Sequence, residues 1–441
     1  MPCSIFKNQG TGNTYIKMPF NLLNREMMKT LLVVLDGAGD RKNGDLGNMT
    51  PLQSAKMPYL ESISSGAAKG MLYPISEGVA PESDAAVFSI LGYDVSDYTG
   101  RGPLEAYGAG LEIDGRTLAM RCNFATIDPQ RNIIDRRAGR IESGDAKKFE
   151  GYINSIDLGI PGVRFDFRAT VGHRGVVAFY FDGDSAPSPN VSNVDIGYVR
   201  KGKISVATEI TSTVLPRAEP LDESAEASRS AEIINLFVDK VIKKLSGCEE
   251  NIARRAKGLP EANTLLLRDA GTGLPKVKPL KERFGQSFAF VAEMPVEIGI
   301  SKLLGMESIM LKQIKDRRQR YAEMARLVLE NESLYDFIYV HIKGPDEPGH
   351  DGNALLKKEI LEEIDANFFS AVDGIDAGVC VTADHATPCS LKGHSADPVP
   401  LMIRQKGRKA DPELPFDESI GTRGSIGIIK GIELLKILLS S

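Results

Sequence analysis

Asp346-Glu347-Pro348-Gly349-His350 and Ala383-Asp384-His385, with His394 close behind, bring acidic residues, imidazoles and glycines together in the last quarter of the chain, where four of its five histidines fall. Carboxylate oxygens and imidazole nitrogens are the side-chain atoms that hold divalent metals. Asp36, in Asp36-Gly37-Ala38-Gly39, extends the set near the other end of the chain. Asp36, Asp346, His350, Asp384, His385 and His394 are therefore six candidate ligands, the number that two neighbouring ions would share. Any one alone is more often an ordinary surface carboxylate or a hydrogen-bonded loop histidine. The six gain weight together because each follows the end of a predicted strand.

Pro81-Glu82-Ser83-Asp84-Ala85-Ala86 precedes an apolar pattern at Val87, Ile90 and Leu91, so Ser83 stands at the start of a helix. One reading is an N-cap, since serine there satisfies exposed backbone N–H groups. The other is a nucleophile whose oxygen loses its proton beside a metal and attacks phosphorus, with the helix terminus steadying the anionic group. Spacing alone leaves both open.

Basic residues near glycines form a third group: Asp135-Arg136-Arg137-Ala138-Gly139-Arg140, Gly172-His173-Arg174-Gly175 and Arg268-Asp269-Ala270-Gly271. Guanidinium forks match phosphate and carboxylate oxygens, which makes Arg136, Arg140, Arg174 and Arg268, with His173, candidate contacts for a small anion. Solvated surface charge and a satisfied strand-end histidine are the plain alternatives. Gly108-Ala109-Gly110 and Gly271-Thr272-Gly273 lack a dinucleotide fingerprint and read as turns.

The elements that must position these groups alternate. Residues 29–35, 288–292, 337–342 and 379–382 are short apolar runs that read as buried strands, three of them ending at candidate ligands, with Asp346 and His350 expected in a loop. Residues 314–329, 354–372 and 426–439 carry helical patterns. This predicts an α/β fold with a mostly parallel sheet and helices on both faces, whose ligands bind at the carboxyl ends of the strands. The middle reads differently, with strands over 118–127 and 170–181, a helix over 231–245, and Pro-, Ser- and acid-rich loop tracts over 182–193 and 215–230. It predicts a second domain over 112–285, inserted into a domain made of 28–111 and 286–441.

With 441 residues, 42% apolar and 26% charged, the chain has the composition of a globular protein large enough for two or three domains. A net charge of −5 gives no general attraction to nucleic acid or anionic lipid, so a phosphorylated ligand must be held by local basic groups. Five scattered cysteines show no zinc-knuckle or disulfide spacing and fit a reducing cytoplasm. No run approaches the roughly 20 apolar residues of a membrane span, and no export signal opens the chain. Residues 1–27 are polar and aperiodic and read as an extension outside the fold.

The motifs Val34-Leu35-Asp36-Gly37, Pro81-Glu82-Ser83-Asp84 with Leu91-Gly92-Tyr93, Gly100-Arg101-Gly102-Pro103, Lys343-Gly344-Pro345-Asp346-Glu347-Pro348-Gly349-His350-Asp351-Gly352, Thr382-Ala383-Asp384-His385 and Gly393-His394-Ser395-Ala396-Asp397-Pro398-Val399-Pro400 occur in that order. Together they resemble the archaeal-type cofactor-independent phosphoglycerate mutases of the alkaline phosphatase superfamily, from about residue 29 to the C-terminus. The resemblance implies an alkaline-phosphatase-like catalytic domain and a smaller inserted α/β substrate domain closing over 2- or 3-phosphoglycerate. It implies one metal on Asp346, His350 and His394, another on Asp36, Ser83, Asp384 and His385, and phosphoryl transfer through Ser83. Mn²⁺ is the expected ion, with Co²⁺, Zn²⁺ or Mg²⁺ as alternatives, and Lys343 joins the expected substrate contacts. A phosphomonoesterase or another phosphomutase of the same superfamily would share the ligands and the serine, and a silent binding protein would be expected to have lost one of them.

Overall fold

Thr30–Leu35, with the sequence TLLVVL, is buried at every position, as is Phe337–Ile342 beside it. Continuous burial of β-branched and leucine residues requires cover on both faces, the signature of a parallel sheet between helices. The computed structural model, which describes residues 29–183, 186–202 and 204–440, contains such a sheet. The expected extension over residues 1–27 lies outside the described residues.

Across this eight-stranded sheet the order is Glu307–Met310, Phe288–Ala292, Phe337–Ile342, Thr30–Leu35, Gly378–Thr382, Val399–Arg404, Ala68–Tyr73 and Gly427–Lys430. Val399–Arg404 is antiparallel to both neighbours, and the other pairings are parallel. The central three strands, Phe337–Ile342, Thr30–Leu35 and Gly378–Thr382, end level with one another: Leu35 pairs with Ile342 and Val34 with Thr382. Whatever follows those strands in sequence therefore meets at one edge of the sheet.

Between Ala68–Tyr73 and Phe288–Ala292 the chain builds a second, antiparallel sheet in which the long Thr117–Ile127 pairs with Ile133–Asp135, Arg174–Phe181 and Thr264–Thr272, and Val163–Ala169 adds to Arg174–Phe181. The helix Ala225–Leu245, capped by the Ser224 side chain, buries Ile233, Ile234, Phe237, Val238 and Val241 in a core of its own with Phe124, Phe167 and Phe179. Leu274, Val277 and Leu280 pack instead with the core of the larger sheet.

Some expectations for local structure change. Residues 426–439 form a strand, Gly427–Lys430, followed by the helix Gly431–Leu439, because the strand's backbone groups have a free edge at Ala68–Tyr73 to pair with. Residues 354–372 loosen to a π turn at Asp365–Phe369, where Asp365 turns its carboxylate to the backbone N–H groups of Tyr59 and Leu60. Helix begins at Ala225 inside the expected loop tract 215–230, and the hairpin Tyr198–Lys201 with Ile204–Ala207 follows the other tract.

The helix Arg101–Gly108 joins the two sheets mechanically. At Gly102 a Cβ would stand 2.3 Å from the Asp269 carbonyl oxygen and 2.5 Å from that of Ala119, both on the antiparallel sheet. On its other side Gly108 crosses the helix Pro295–Leu303 so closely that a Cβ would stand 1.7 Å from the Pro295 oxygen, and one on Gly299 would stand 1.9 Å from the Leu104 oxygen. Backbone-to-backbone contact of this kind cannot relax around a methyl group, so Gly108→Ala or Gly299→Ala is expected to lower the free energy of unfolding by roughly 1–3 kcal/mol or more. Urea midpoints of the variants equal to the parent's would show that the crossing yields.

Candidate active site

Asp36, the first residue beyond Thr30–Leu35, donates its N–H to the Ile342 oxygen at 3.0 Å, and the Gly37 N–H donates to Asp384 Oδ1 at 3.0 Å. The strand ends are thereby tied to each other before any ligand is considered. Gly37, at φ 62°, lies so close to Asp346 that a Cβ would stand 2.8 Å from that residue's Cα, Cβ and Oδ1, so the approach of the two loops requires glycine. Beneath them the buried Lys357, from the helix Ala354–Ile364, donates to the Gly39 oxygen (3.0 Å), Asp40 Oδ2 (2.8 Å) and the Thr387 oxygen (2.9 Å). One ammonium thus clamps the loop carrying Asp36 to the loop carrying Asp384 and His385.

Asp346 and His350 lie on a short helix, Asp346–Asp351, rather than in the expected loop. Four residues apart, they share one face, and His350 Nε2 lies 3.5 Å from Asp346 Oδ1. His394 Nε2 reaches the same oxygen at 3.5 Å and His350 Nε2 at 3.2 Å. Asp346, His385 and His394 form one cluster able to hold a metal, and Asp36, His341 and Asp384 form another. The six candidate ligands from sequence all lie in this region, and His341 joins them unpredicted.

Hydrogen bonds dictate which imidazole nitrogens are free. His350 Nδ1 donates to the Lys392 carbonyl oxygen at 3.2 Å, and His394 Nδ1 to the Pro81 carbonyl oxygen at 2.8 Å, since a carbonyl only accepts. Thr387 Oγ1 donates its single proton to Asp346 at 2.7 Å and so accepts from His385 Nδ1 at 2.9 Å. In the neutral rings all three Nε2 atoms therefore carry lone pairs; those of His350 and His394 face each other, and His385 stacks on His394 at 3.8 Å between centroids. Lone pairs facing one another at 3.2 Å repel unless a cation lies between them. Asp36 Oδ1 and Asp384 Oδ2 are buried without hydrogen-bond partners in the same place. This donor set fits divalent cations.

Ser83 opens the helix Ser83–Ile90, but Glu82 occupies the cap position and makes no side-chain capping bond there. The Ser83 hydroxyl is not engaged in capping; its Oγ stands 3.2 Å from His385 Nε2. Burial opposes charge on His385, yet Asp384, Asp36 and Asp346 around the ring push it up to about 9, so without a cation beside it the ring holds at Nε2 the proton that a bound metal would displace. Burial likewise works against ionisation of Asp346, and the neighbouring imidazoles of His394 and His385 overcome this, holding it at about 2. Asp36, also opposed by burial, is held well below the carboxylate range by Lys343, His385 and His341. Lys343 Nζ, 3.2 Å from Asp36 Oδ2 and 3.1 Å from Glu297 Oε1, is raised by those carboxylates in spite of burial.

The basic candidates from the middle of the chain divide. Arg268 is buried in the strand Thr264–Thr272, not in a loop, and belongs to an alternating ladder of charge. Arg101 and Arg121 flank Glu105 (3.2 and 3.5 Å), Arg121 and Arg268 flank Asp269 (both 3.7 Å), and Arg268 and Arg136 flank Asp195 (3.0 and 2.6 Å). Arg268 and Arg137 stand within electrostatic reach of Arg174. Guanidinium groups outnumber carboxylates, and burial together with Arg101 lowers Arg121 to about 10. His173, half-buried beside Arg174 and Arg137, is pushed down to about 3, by burial first and then by those arginines, and is neutral at physiological pH. Arg140 stands apart, exposed in a turn at φ 55°. The ladder abuts the Ser83 helix: the Asp84 carboxylate accepts from Tyr98 Oη and its charge bears on Arg101.

Arg101, Arg121, Glu297 and His341 were not singled out from sequence. Arg101 lies within the Gly100-Arg101-Gly102-Pro103 motif, so a signal existed, while Arg121 and His341 are polar residues inside apolar strands, a pattern shared by many satisfied core residues.

Carboxylate and imidazole donors with a serine hydroxyl at the carboxyl ends of parallel strands place the molecule among α/β enzymes with a metal-type site. Residues 65–251 match the family described as 2,3-bisphosphoglycerate-independent phosphoglycerate mutase. The chain is 40% identical over 416 residues to the 2,3-bisphosphoglycerate-independent phosphoglycerate mutase of Aeropyrum pernix, covering 92% of this chain and 97% of that protein. It is 36% identical to 2,3-bisphosphoglycerate-independent phosphoglycerate mutase 1 of Methanocaldococcus jannaschii, covering 93% and 96%. Among solved structures it resembles the PH0037 protein from Pyrococcus horikoshii (TM-score 0.74, 27% identity, 94% of this chain and 97% of that one) and the cofactor-independent phosphoglycerate mutase from Thermoplasma acidophilum (TM-score 0.59, 30% identity, 93% and 99%). The chain belongs to the 2,3-bisphosphoglycerate-independent phosphoglycerate mutase family.

Two outcomes test this account of the site. Lys357→Ala leaves Asp40 buried without its cation and is expected to destabilise the protein by roughly 3–5 kcal/mol, read from denaturant midpoints. For His173, the unfolded ring takes a proton near 6.5 and the folded ring only near 3. Between those values the unfolded chain holds more protons, so stability is full above the upper value and is lost as pH falls. Melting temperatures taken at neutral pH and near the middle of that window should fall further for the parent than for His173→Gln; equal losses would remove His173 as the cause.

Proposed function

We propose that this chain interconverts 2- and 3-phosphoglycerate by moving one phosphoryl group through Ser83, an isomerase step of glycolysis and gluconeogenesis. The observation that carries the reading is that the Ser83 hydroxyl, not used for capping, stands 3.2 Å from His385 Nε2, itself 3.3 Å from Asp36 Oδ1 and 3.5 Å from Asp384 Oδ2, two carboxylate oxygens without hydrogen-bond partners. In this reading Asp346, His350 and His394 hold one divalent cation and Asp36, Ser83, Asp384 and His385 the other, with Mn²⁺ the ion most suited and Co²⁺, Zn²⁺ or Mg²⁺ able to replace it. Bound cations would supply the positive charge that lets a serine hydroxyl ionise near neutral pH and that neutralises phosphoryl oxygens.

The chain's own groups do the rest. Ser83 Oγ gives up its proton and attacks phosphorus, the bond from phosphorus to the glycerate oxygen breaks, and that oxygen takes up one proton in exchange for the one Ser83 lost. The N-terminus of the Ser83–Ile90 helix and the Lys343 ammonium favour the added negative charge. The arginine ladder, with Arg174, Arg268 and Arg136 as expected contacts, suits the carboxylate of the glycerate while it turns, and the neutral His173 can offer either ring nitrogen to its hydroxyls. The other hydroxyl then recovers the group from the phosphoserine. Residues 28–111 and 286–441 serve as the catalytic body and 112–285 as an inserted substrate domain that closes to keep water from the phosphoserine, with a separate core as far as Ala270 supporting the division and the packing of Leu274, Val277 and Leu280 assigning the end of the insert to the catalytic body.

We place the enzyme in the cytoplasm, where its small-molecule substrate is found; the described cysteines, Cys122, Cys248, Cys380 and Cys389, are free and buried. No helix among the described residues is long and apolar enough to cross a membrane. The test supplies 3-phosphoglycerate and Mn²⁺ without 2,3-bisphosphoglycerate and couples product to enolase. Product should form without release of inorganic phosphate, and Ser83→Ala should lower turnover by about a thousandfold or more with an unchanged circular dichroism spectrum. Stoichiometric phosphate release without 2-phosphoglycerate would make the enzyme a phosphatase.

A further inference from the structure

His341 is 3% exposed, points to the edge of the sheet where the ligands gather, and has no hydrogen bond at either ring nitrogen. Its Nε2 lies 3.3 Å from Asp384 Oδ2 and 3.9 Å from Asp36 Oδ2, and its Nδ1 lies 3.8 Å from Glu297 Oε1. These separations exceed those of charge-assisted hydrogen bonds, which fall near 2.7–2.9 Å. The 3.3 Å from Nε2 to Asp384 Oδ2 does match the spacing of two donors bonded to one ion at about 2.0–2.1 Å, roughly 3.0–3.4 Å. Neighbouring donors are spaced alike: Ser83 Oγ to His385 Nε2 at 3.2 Å, His385 Nε2 to Asp36 Oδ1 at 3.3 Å, and His385 Nε2 to Asp384 Oδ2 at 3.5 Å.

We propose that His341 Nε2 is a further ligand of the deeper cation, the one held by Asp36 and Asp384, and that Glu297 orients the ring through Nδ1. The proposal rests on the two-metal reading above and extends it by one residue. Two independent features support it. First, Asp36 Oδ1, Asp384 Oδ2 and His341 Nε2 are buried without hydrogen-bond partners, three donor atoms that one cation would satisfy together. Second, Glu297 is itself fixed: its Oε2 accepts the backbone N–H groups of Glu293 and Met294 at 2.8 and 3.0 Å, and Lys343 stands 3.1 Å from Oε1. A carboxylate placed behind the far nitrogen of an imidazole is the arrangement that sets the tautomer and raises the basicity of a ligating ring. The other three histidines of the cluster direct Nδ1 to an acceptor and Nε2 inward in the same way.

The test measures ions rather than turnover. Equilibrium dialysis of the full chain against Mn²⁺ should show two ions per parent chain, and His341→Asn should retain one while binding the other at least tenfold more weakly. Glu297→Gln should weaken the same ion by roughly 10- to 100-fold. Asp384→Asn serves as the control for the deeper centre. In the Co²⁺-loaded parent, two slowly exchanging, paramagnetically shifted imidazole N–H resonances are expected from buried ligands, those of His341 and His385, and one in His341→Asn. If the parent binds two ions and Asp384→Asn loses one, but His341→Asn keeps both at parental affinity, His341 is not a ligand and the two-metal reading survives. If the parent binds no Mn²⁺, both readings fall. Should His341→Asn not fold, the parent's Co²⁺ spectrum decides alone, one buried N–H resonance overturning the proposal and two supporting it.

Discussion

Like-charged and lone-pair-bearing groups are held together at the edge of the large sheet against their mutual repulsion. Asp36, Asp384, Asp346 and Glu297 come within a few ångströms of the same imidazoles, and Lys343 is the ammonium found among them. A chain free to relax would separate these groups. It cannot, because three parallel strands end in register and the loops that follow are tied by Gly37 N–H to Asp384 and by Lys357 to both sides. The rigidity of the scaffold is thus converted into an electrostatic demand for cations, and that demand is the chemistry of the site.

Opposite charge is arranged on the facing side. The ladder from Arg101 to Arg136 concentrates guanidinium groups on the antiparallel sheet, and it meets the metal-type site at the Ser83 helix through Asp84, Tyr98 and Arg101. Under the proposed function, the substrate's phosphoryl end goes to the cations and its carboxylate end to the arginines. The helix Arg101–Gly108 keeps them at a set distance. It makes backbone contact with the antiparallel sheet at Gly102 and with the helix Pro295–Leu303 at Gly108, leaving no side chain between to act as a cushion.

Much of the architecture was legible because burial on both faces forces a strand to be apolar throughout. The runs at 288–292 and 337–342 appear as expected, and those at 29–35 and 379–382 shift by one residue. Strands whose pairing is decided by distant partners were not legible. Gly427–Lys430 reads as helix until Ala68–Tyr73 offers it an edge, and Gly271-Thr272-Gly273 reads as a turn until Thr264–Thr272 lies beside Thr117–Ile127. The helix at Asp346–Asp351 was hidden by Pro348 and Gly349, residues that usually mark a turn.

Residue type and position along the strands were enough to nominate the carboxylates, the imidazoles and the serine, because strand ends in a parallel sheet share an edge wherever the helices run. Which nitrogen of each ring is free, whether Ser83 caps its helix, and that His341 belongs with Asp36 and Asp384 were settled only by folding. The partners that decide those points, Pro81, Lys392, Thr387 and Glu297, come from segments remote from most of the groups they orient. A tautomer is set by what stands beside the ring in space, and a linear pattern of residue types does not record that.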